Sequence, residues 1–255
     1  MRQFLLFMSK SNHKNTDLFL LISITIFVLV FLTGYVSDDF SAINNIRQEF
    51  VSNIFIPFNN YINIPVLFYT HTIFYNFINI NDIIFLSFIK FFYLFISFYA
   101  ISKFFSIFTS NYYSYIISFL FIFWPTHDST VYFFLAQYLM LSIALLCYAY
   151  YLLERNYFKR SIVFSFLGSF ISYGSTPIAL GLSILFILNK SYKKSLFILL
   201  PNFVYILYYV FISKILSISS ISRIPNEINI FTVIKNYIIQ VIALFDTNIG
   251  PSFFI

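Results

Sequence analysis

The chain has 255 residues, of which 60% are hydrophobic and only 9% charged, and its mean hydropathy is +0.85. A soluble domain carries about 25% charged residues, so this composition excludes one and implies a polytopic membrane protein. The net charge of +6 does not point to nucleic acid, because the basic residues lie in short clusters beside apolar runs, which is how membrane topology is written. The single cysteine, Cys147, sits in the middle of an apolar run and reads as a packing residue, which excludes an intrachain disulfide and a cysteine metal cluster. With 38 Phe and 21 Tyr beside abundant Ile, Asn and Lys, the sequence has the bias of an A- and T-rich coding region, so aromatic content alone carries little functional information.

In chain order, Met1 to Thr16 carries Arg2, Lys10 and Lys14 ahead of the first apolar run. That run, about nineteen residues from Leu18 to Val36, is too long for the core of a cleaved signal and has no small-residue cleavage site after it, so it predicts a retained span with its amino end in the cytoplasm. Just beyond it stand Ser37-Asp38-Asp39-Phe40. Two adjacent carboxylates at the water–lipid boundary form a functional hypothesis by default, although acids also end transmembrane helices for purely structural reasons.

The first external loop, residues 37–82, then contains Ile43, Ile46, Phe50 and Ile54 at helical spacing, with Asn44, Asn45, Arg47, Gln48, Glu49 and Asn53 on the other faces. This predicts an amphipathic helix lying on the membrane, ended by Pro57. Ile64 to Ile80 is apolar but interrupted by Thr70, His71, Thr72, Asn76 and Asn79, and predicts a second interfacial helix.

The second span runs from Ile83 to Phe105, with Lys90 inside it. Lys90 is either a snorkelling or bundle-facing lysine or a cation facing an anionic ligand. A short third span, Tyr112 to Trp124, emerges at Pro125-Thr126-His127-Asp128-Ser129-Thr130, and a fourth, Val131 to Leu153, returns to the basic cluster Arg155, Lys159 and Arg160.

Ser161 to Asn189 is flanked by basic clusters on both sides, the second being Lys190, Lys193 and Lys194. Its length allows one long helix or two arms of about 22 Å each, and the flanking charges favour a short hairpin turning at Gly174-Ser175-Thr176-Pro177. Ser195 to Ser213 spans again, Arg223, Pro225 and Glu227 occupy a further external loop, and Ile230 to Phe245 is a weaker final segment. The expectation is an all-α, single transmembrane domain over residues 1–255, with about eight membrane segments.

Orientation rests on Lys and Arg, most of which collect on one side, with Arg47, Arg223 and Lys214 on the other. Asp38, Asp39, Glu49, Asp82, Asp128 and Glu227 fall on the other, with Asp17 and Glu154 as exceptions. This layout, together with Ser37-Asp38-Asp39-Phe40, Pro125-Thr126-His127-Asp128 and Ser172-Tyr173-Gly174-Ser175, resembles the C-type (GT-C) glycosyltransferases over roughly Leu18 to Leu200. The resemblance implies an integral enzyme that moves a sugar from a polyprenyl-phosphate carrier to a glycan or lipid acceptor on the non-cytoplasmic face, as in a bacterial inner (plasma) membrane.

It further implies that Asp38 or Asp39 is the general base that takes the acceptor's hydroxyl proton; a like charge beside it suits a carboxylate to that role. Asp128 and His127 match a second-loop position that in some members helps bind a divalent metal, Mg²⁺ or Mn²⁺. The same residues also read as an ordinary polar turn capping the fourth span. A lipid phosphate needs a cation, for which Arg47, Lys90 and Arg223 are candidates, each also readable as a surface or structural charge. Members of this superfamily have more spans, and many carry a soluble domain after the last, so a truncated or minimal member is the expectation. The alternatives are a non-catalytic subunit of a membrane complex and a polysaccharide or lipid-carrier transport protein. No serine, cysteine or histidine constellation supports hydrolysis, and five glycines leave little for a phosphate-cradling loop.

Overall fold

The structure, a computed structural model, describes residues 2–31, 33, 65–66, 83–123, 137–172 and 174–211, with side chains from residue 15 onward. Among the described residues it has seven α-helices and no strand: α1 Arg2–Val30, α2 Ile83–Phe105, α3 Asn111–Ile122, α4 Gln137–Glu154, α5 Phe158–Ile171, α6 Ser175–Leu188 and α7 Tyr192–Val210. Two of these, α2 and α4, are long and apolar enough to cross a membrane; residues 15–30 of α1, and α6, are shorter apolar helices.

The ring contacts set the directions of the helices. Phe19 of α1 stacks on Phe98 at 5.6 Å while Phe27 meets Phe91 edge-on at 5.4 Å, so α1 and α2 are antiparallel. Tyr99 lies 6.2 Å from Tyr148, and Phe104 lies 5.3 Å from Tyr150, which makes α2 and α4 parallel. Helix α5 runs back along α4, with Ser161 bonded to the Ala149 carbonyl and Ser142 to the Gly168 carbonyl. Its companion α7 is parallel to it, through Phe158 with Phe197 and Phe170 with Tyr205. Tyr150 stacked on Phe186 at 4.1 Å brings the end of α6 to the end of α4.

One end of the bundle therefore collects the end of α2 and the α4–α5 and α6–α7 turns. It carries Lys103, Arg155, Lys159, Arg160, Lys190, Lys193 and Lys194. The other end holds the last turn of α1, the start of α2 and the α5–α6 break. Helix α3 is held against α1 and α2 through Tyr115, which is 5.4 Å from Phe19 and 6.1 Å from Phe98.

Helix boundaries depart from the sequence reading in two informative places. Helix α1 begins well before Leu18, because Arg2 to Lys14 contains neither Gly nor Pro to stop a helix that the apolar run starts. It ends at Val30, whose carbonyl takes both the Thr33 N–H at 3.3 Å and the Thr33 hydroxyl at 2.9 Å, satisfying an acceptor that the helix end leaves open. In the Ser161 to Asn189 stretch the chain breaks at Ser172 to Gly174, and Pro177 lies inside the first turn of α6. Proline is tolerated there because the N–H it lacks has no intrahelical partner in that turn.

Helices α4 and α5 approach each other closely at Gly168. A Cβ added to Gly168 would lie 3.1 Å from both the Ser142 carbonyl oxygen and Leu146 Cγ, whereas one added to Gly181 on α6 would meet nothing within 4 Å. Small residues let apolar helices bring their backbones together. Gly168→Ala is therefore expected to lower the thermal midpoint of the detergent-solubilised chain, with a loss of about 1–3 kcal/mol from overpacking. Gly181→Ala should leave it unchanged or raise it, through a gain of about 0.5–1 kcal/mol in helix propensity. Circular dichroism melts of the two variants compare them directly, and equal behaviour would contradict the packing described.

Candidate functional site

Lys90 is the one fully buried charged side chain among the described residues. It projects from the first third of α2, where α1 ends, and its Nζ donates to Thr33 Oγ1 at 3.2 Å. Thr33 in turn donates to the Val30 carbonyl, so a short relay joins the ammonium to the last turn of α1. The Lys90 side chain lies inside the bundle, not along its surface. A buried ammonium is costly unless it is hydrogen-bonded or faces negative charge. In the sequence, Asp38 and Asp39 follow shortly after Thr33.

A second polar cluster lies at the α5–α6 break. Ser172 Oγ accepts the Gly174 N–H at 3.0 Å, and the Ser172 carbonyl accepts the Ser175 N–H at 3.2 Å. The Ser175 hydroxyl donates to the Ser169 carbonyl at 3.2 Å. From α7, the Asn202 amide donates to Ser175 Oγ at 3.1 Å and to Ser169 Oγ at 3.3 Å. The result is a buried amide–hydroxyl network that pins the break to α7 and satisfies backbone where two helices stop inside the protein. Sequence reasoning singled out Ser172-Tyr173-Gly174-Ser175 but missed Asn202. The available signal was an amide beside Pro201 in an apolar run: proline removes the donor that the Phe197 carbonyl would otherwise receive. One residue on, the Ile198 carbonyl takes the Ser165 hydroxyl at 3.1 Å.

At the basic end, Lys194 Nζ is 2.9 Å from Glu154 Oε2, tying the start of α7 to the end of α4. Both groups are partly exposed, so the pair orients more than it stabilises. Cys147 is buried and unpaired with any other cysteine. Among the described residues no group of three or more His, Cys, Asp or Glu side chains could hold a metal ion. Asp38, Asp39, Arg47, His71, His127, Asp128 and Arg223 lie outside the described residues, as do the 41–60 segment and nearly all of the 64–80 segment. Of the sequence-predicted site residues, the described chain thus holds Lys90.

No family model matches this chain, and no curated protein or solved structure matches it either.

Removing one partner of a buried bond leaves the other unsatisfied. Asn202→Leu is expected to destabilise the chain by about 1–3 kcal/mol. The effect should largely vanish when Ser169 and Ser175 are both changed to Ala in the same chain, since the unpaired hydroxyls are then gone as well. Thermal melts of the single, double and triple variants read the coupling; strict additivity would contradict the network.

Proposed function

We propose that this chain is an integral membrane glycosyltransferase that takes a sugar from a polyprenyl-phosphate carrier and transfers it to a glycan or lipid acceptor on the non-cytoplasmic face. In this reading the chain forms about eight membrane segments, with interfacial helices in residues 37–82 and its amino end and basic turns in the cytoplasm. Two helices of membrane-crossing length and composition, and basic residues gathered at one end of the bundle, support the membrane placement.

The observation that carries the catalytic reading is Lys90: a fully buried ammonium held at the end of the bundle from which α1 leads into Asp38-Asp39. Transfer from a lipid phosphate asks for that combination. One carboxylate of the pair takes the proton of the acceptor hydroxyl as its oxygen attacks the anomeric carbon; the bond from that carbon to the phosphate oxygen breaks, with inversion, and polyprenyl phosphate leaves. Negative charge gathers on the leaving phosphate, where a desolvated cation is worth more than one in water. Lys90 supplies that charge, with Arg47 and Arg223 as further contacts to the carrier. Asp128 with His127 would offer oxygen and imidazole ligands to Mg²⁺ or Mn²⁺ in members of this chemistry that use a metal.

The test is the mass profile of surface glycans from the source cell with the gene intact, deleted, or carrying Asp38→Asn, Asp39→Asn or Lys90→Met, each variant first shown to reach the membrane. Loss of one hexose-sized increment is expected in the deletion, in the variant of the working acid and in Lys90→Met. General-base catalysis is worth about 10²–10⁴-fold, enough to remove the product from such a profile. Unchanged profiles for both amidated chains beside a changed one for the deletion would retire the catalytic role of the pair and favour a structural or transport protein.

A further inference from the structure

We infer that the basic end of the bundle is a binding surface for anionic phospholipid headgroups, centred on the neighbouring starts of α5 and α7. Two turns build it in the same way. At the first, Asn156 has a positive φ of 61°, the Tyr157 N–H returns to the Leu152 carbonyl at 2.8 Å and the Asn156 N–H to the Leu153 carbonyl at 3.0 Å. At the second, Lys190 has a φ of 56°, the Ser191 N–H returns to the Phe186 carbonyl at 2.8 Å and the Lys190 N–H to the Ile187 carbonyl at 2.9 Å. This paired closure reverses the chain tightly, and each time the next helix opens with a basic pair, Lys159-Arg160 and Lys193-Lys194. Since α5 and α7 are parallel and touch through Phe158 and Phe197 at 5.1 Å, the two pairs share one surface.

Its charge is unbalanced by the described chain. Neither α5 nor α7 has an acidic residue in its first turn or a side-chain cap, so positive side chains stand at the positive ends of two helix dipoles. The nearby acid Glu154 is engaged by Lys194 at 2.9 Å. Arg155, Lys159, Arg160, Lys190 and Lys193 are all exposed. An anion resolves that imbalance.

The apolar flank identifies the anion as part of an amphiphile. Leu188, Tyr192 and Leu196, on the end of α6 and the start of α7, are 72%, 67% and 61% exposed beside these cations. Arg160 stands over the Tyr157 ring at 5.6 Å and Lys193 over Phe158 at 5.4 Å, with charge and ring together at the boundary that aromatic residues and snorkelling cations occupy. In the membrane placement these apolar side chains stand in lipid, where the anions next to the cations are headgroups. A phospholipid covers both.

This inference rests on the membrane placement and not on the acids of the proposed active site. Its test is native mass spectrometry of the purified full-length chain, titrated in detergent with phosphatidylglycerol or with phosphatidylcholine. Phosphatidylglycerol should be retained in preference, less so as salt rises, and should not be displaced by inorganic phosphate. The Lys159→Gln/Arg160→Gln/Lys193→Gln chain should lose the preference, by about fivefold for each cation removed, and the charge-preserving Lys159→Arg/Arg160→Lys/Lys193→Arg chain should keep it. Equal retention of the two lipids by the native chain, displacement by free phosphate, or an undiminished preference in the neutralised chain would each overturn the inference. Failure of the membrane placement would appear separately, as release of the chain from cell membranes by alkaline carbonate without detergent.

Discussion

A hydroxyl or carbonyl enclosed by Phe, Ile and Leu has no water to bond, and the structure depends on how its serines meet that constraint. In α2 and α3 they turn back on their own helix: Ser87 to Ile83, Ser97 to Tyr93, Ser102 to Tyr99 and Ser118 to Ser114. Such bonds satisfy the hydroxyl within its own helix, and α1, α2 and α3 are joined largely by rings, with Phe19 touching Phe95, Phe98 and Tyr115, beside the Lys90–Thr33 bond. In α4 to α7 the bonds go across. Ser142, Ser161 and Ser165 reach carbonyls of other helices, and Ser183 meets Ser195 at 2.7 Å. Directional bonds of that kind fix rotation and depth, which dispersion among phenylalanines does not, so this half of the bundle holds the two basic turns level and anchors the α5–α6 break.

The same constraint gives Lys90 its significance. Its side chain is fully buried, and its ammonium donates to the Thr33 hydroxyl at 3.2 Å. The chain sets this cation at one end of the bundle and the exposed cations Arg155, Lys159, Arg160, Lys190 and Lys193 at the other.

Much of the architecture was legible because apolar runs and basic clusters are strong signals. The limits of α2, Ile83 and Phe105, are those the sequence predicts, since the run is bounded by polar residues and contains no breaker. The flanking charges of the Ser161 to Asn189 stretch pointed to a reversal within it, and the chain does break there, at Ser172 to Gly174. The position of the break was misjudged by a few residues, because Pro177 reads as a stop although it also suits the first turn of a helix. The start of α1 was hidden for a different reason: hydropathy reports where a helix becomes apolar, not where it becomes helical. Asn202 and the cross-helix serines could not be assigned from spacing, because one serine pattern serves both back-bonding and bridging. The choice is made by the neighbouring backbone, as Gly168 and Pro201 make it here. For the site, sequence supplied Lys90 with two readings, and tertiary packing adds that its side chain is fully buried in the bundle.

The central structural claim is that two successive helix pairs, α4–α5 and α6–α7, turn on one and the same face, with the α5–α6 break away from it. Site-directed labelling tests this most directly. In a Cys147→Ser background, single cysteines at Asn156, Lys190 and Gly174 would be exposed in sealed membrane vesicles of each orientation to a membrane-impermeant maleimide. Modification at Asn156 and Lys190 from the same face, with Gly174 unreactive from that face, is the expected result. Modification of Asn156 and Lys190 from opposite faces would contradict it, since the Ser161 to Asn189 stretch would then cross as a single helix and the network joining Ser169, Ser175 and Asn202 could not form.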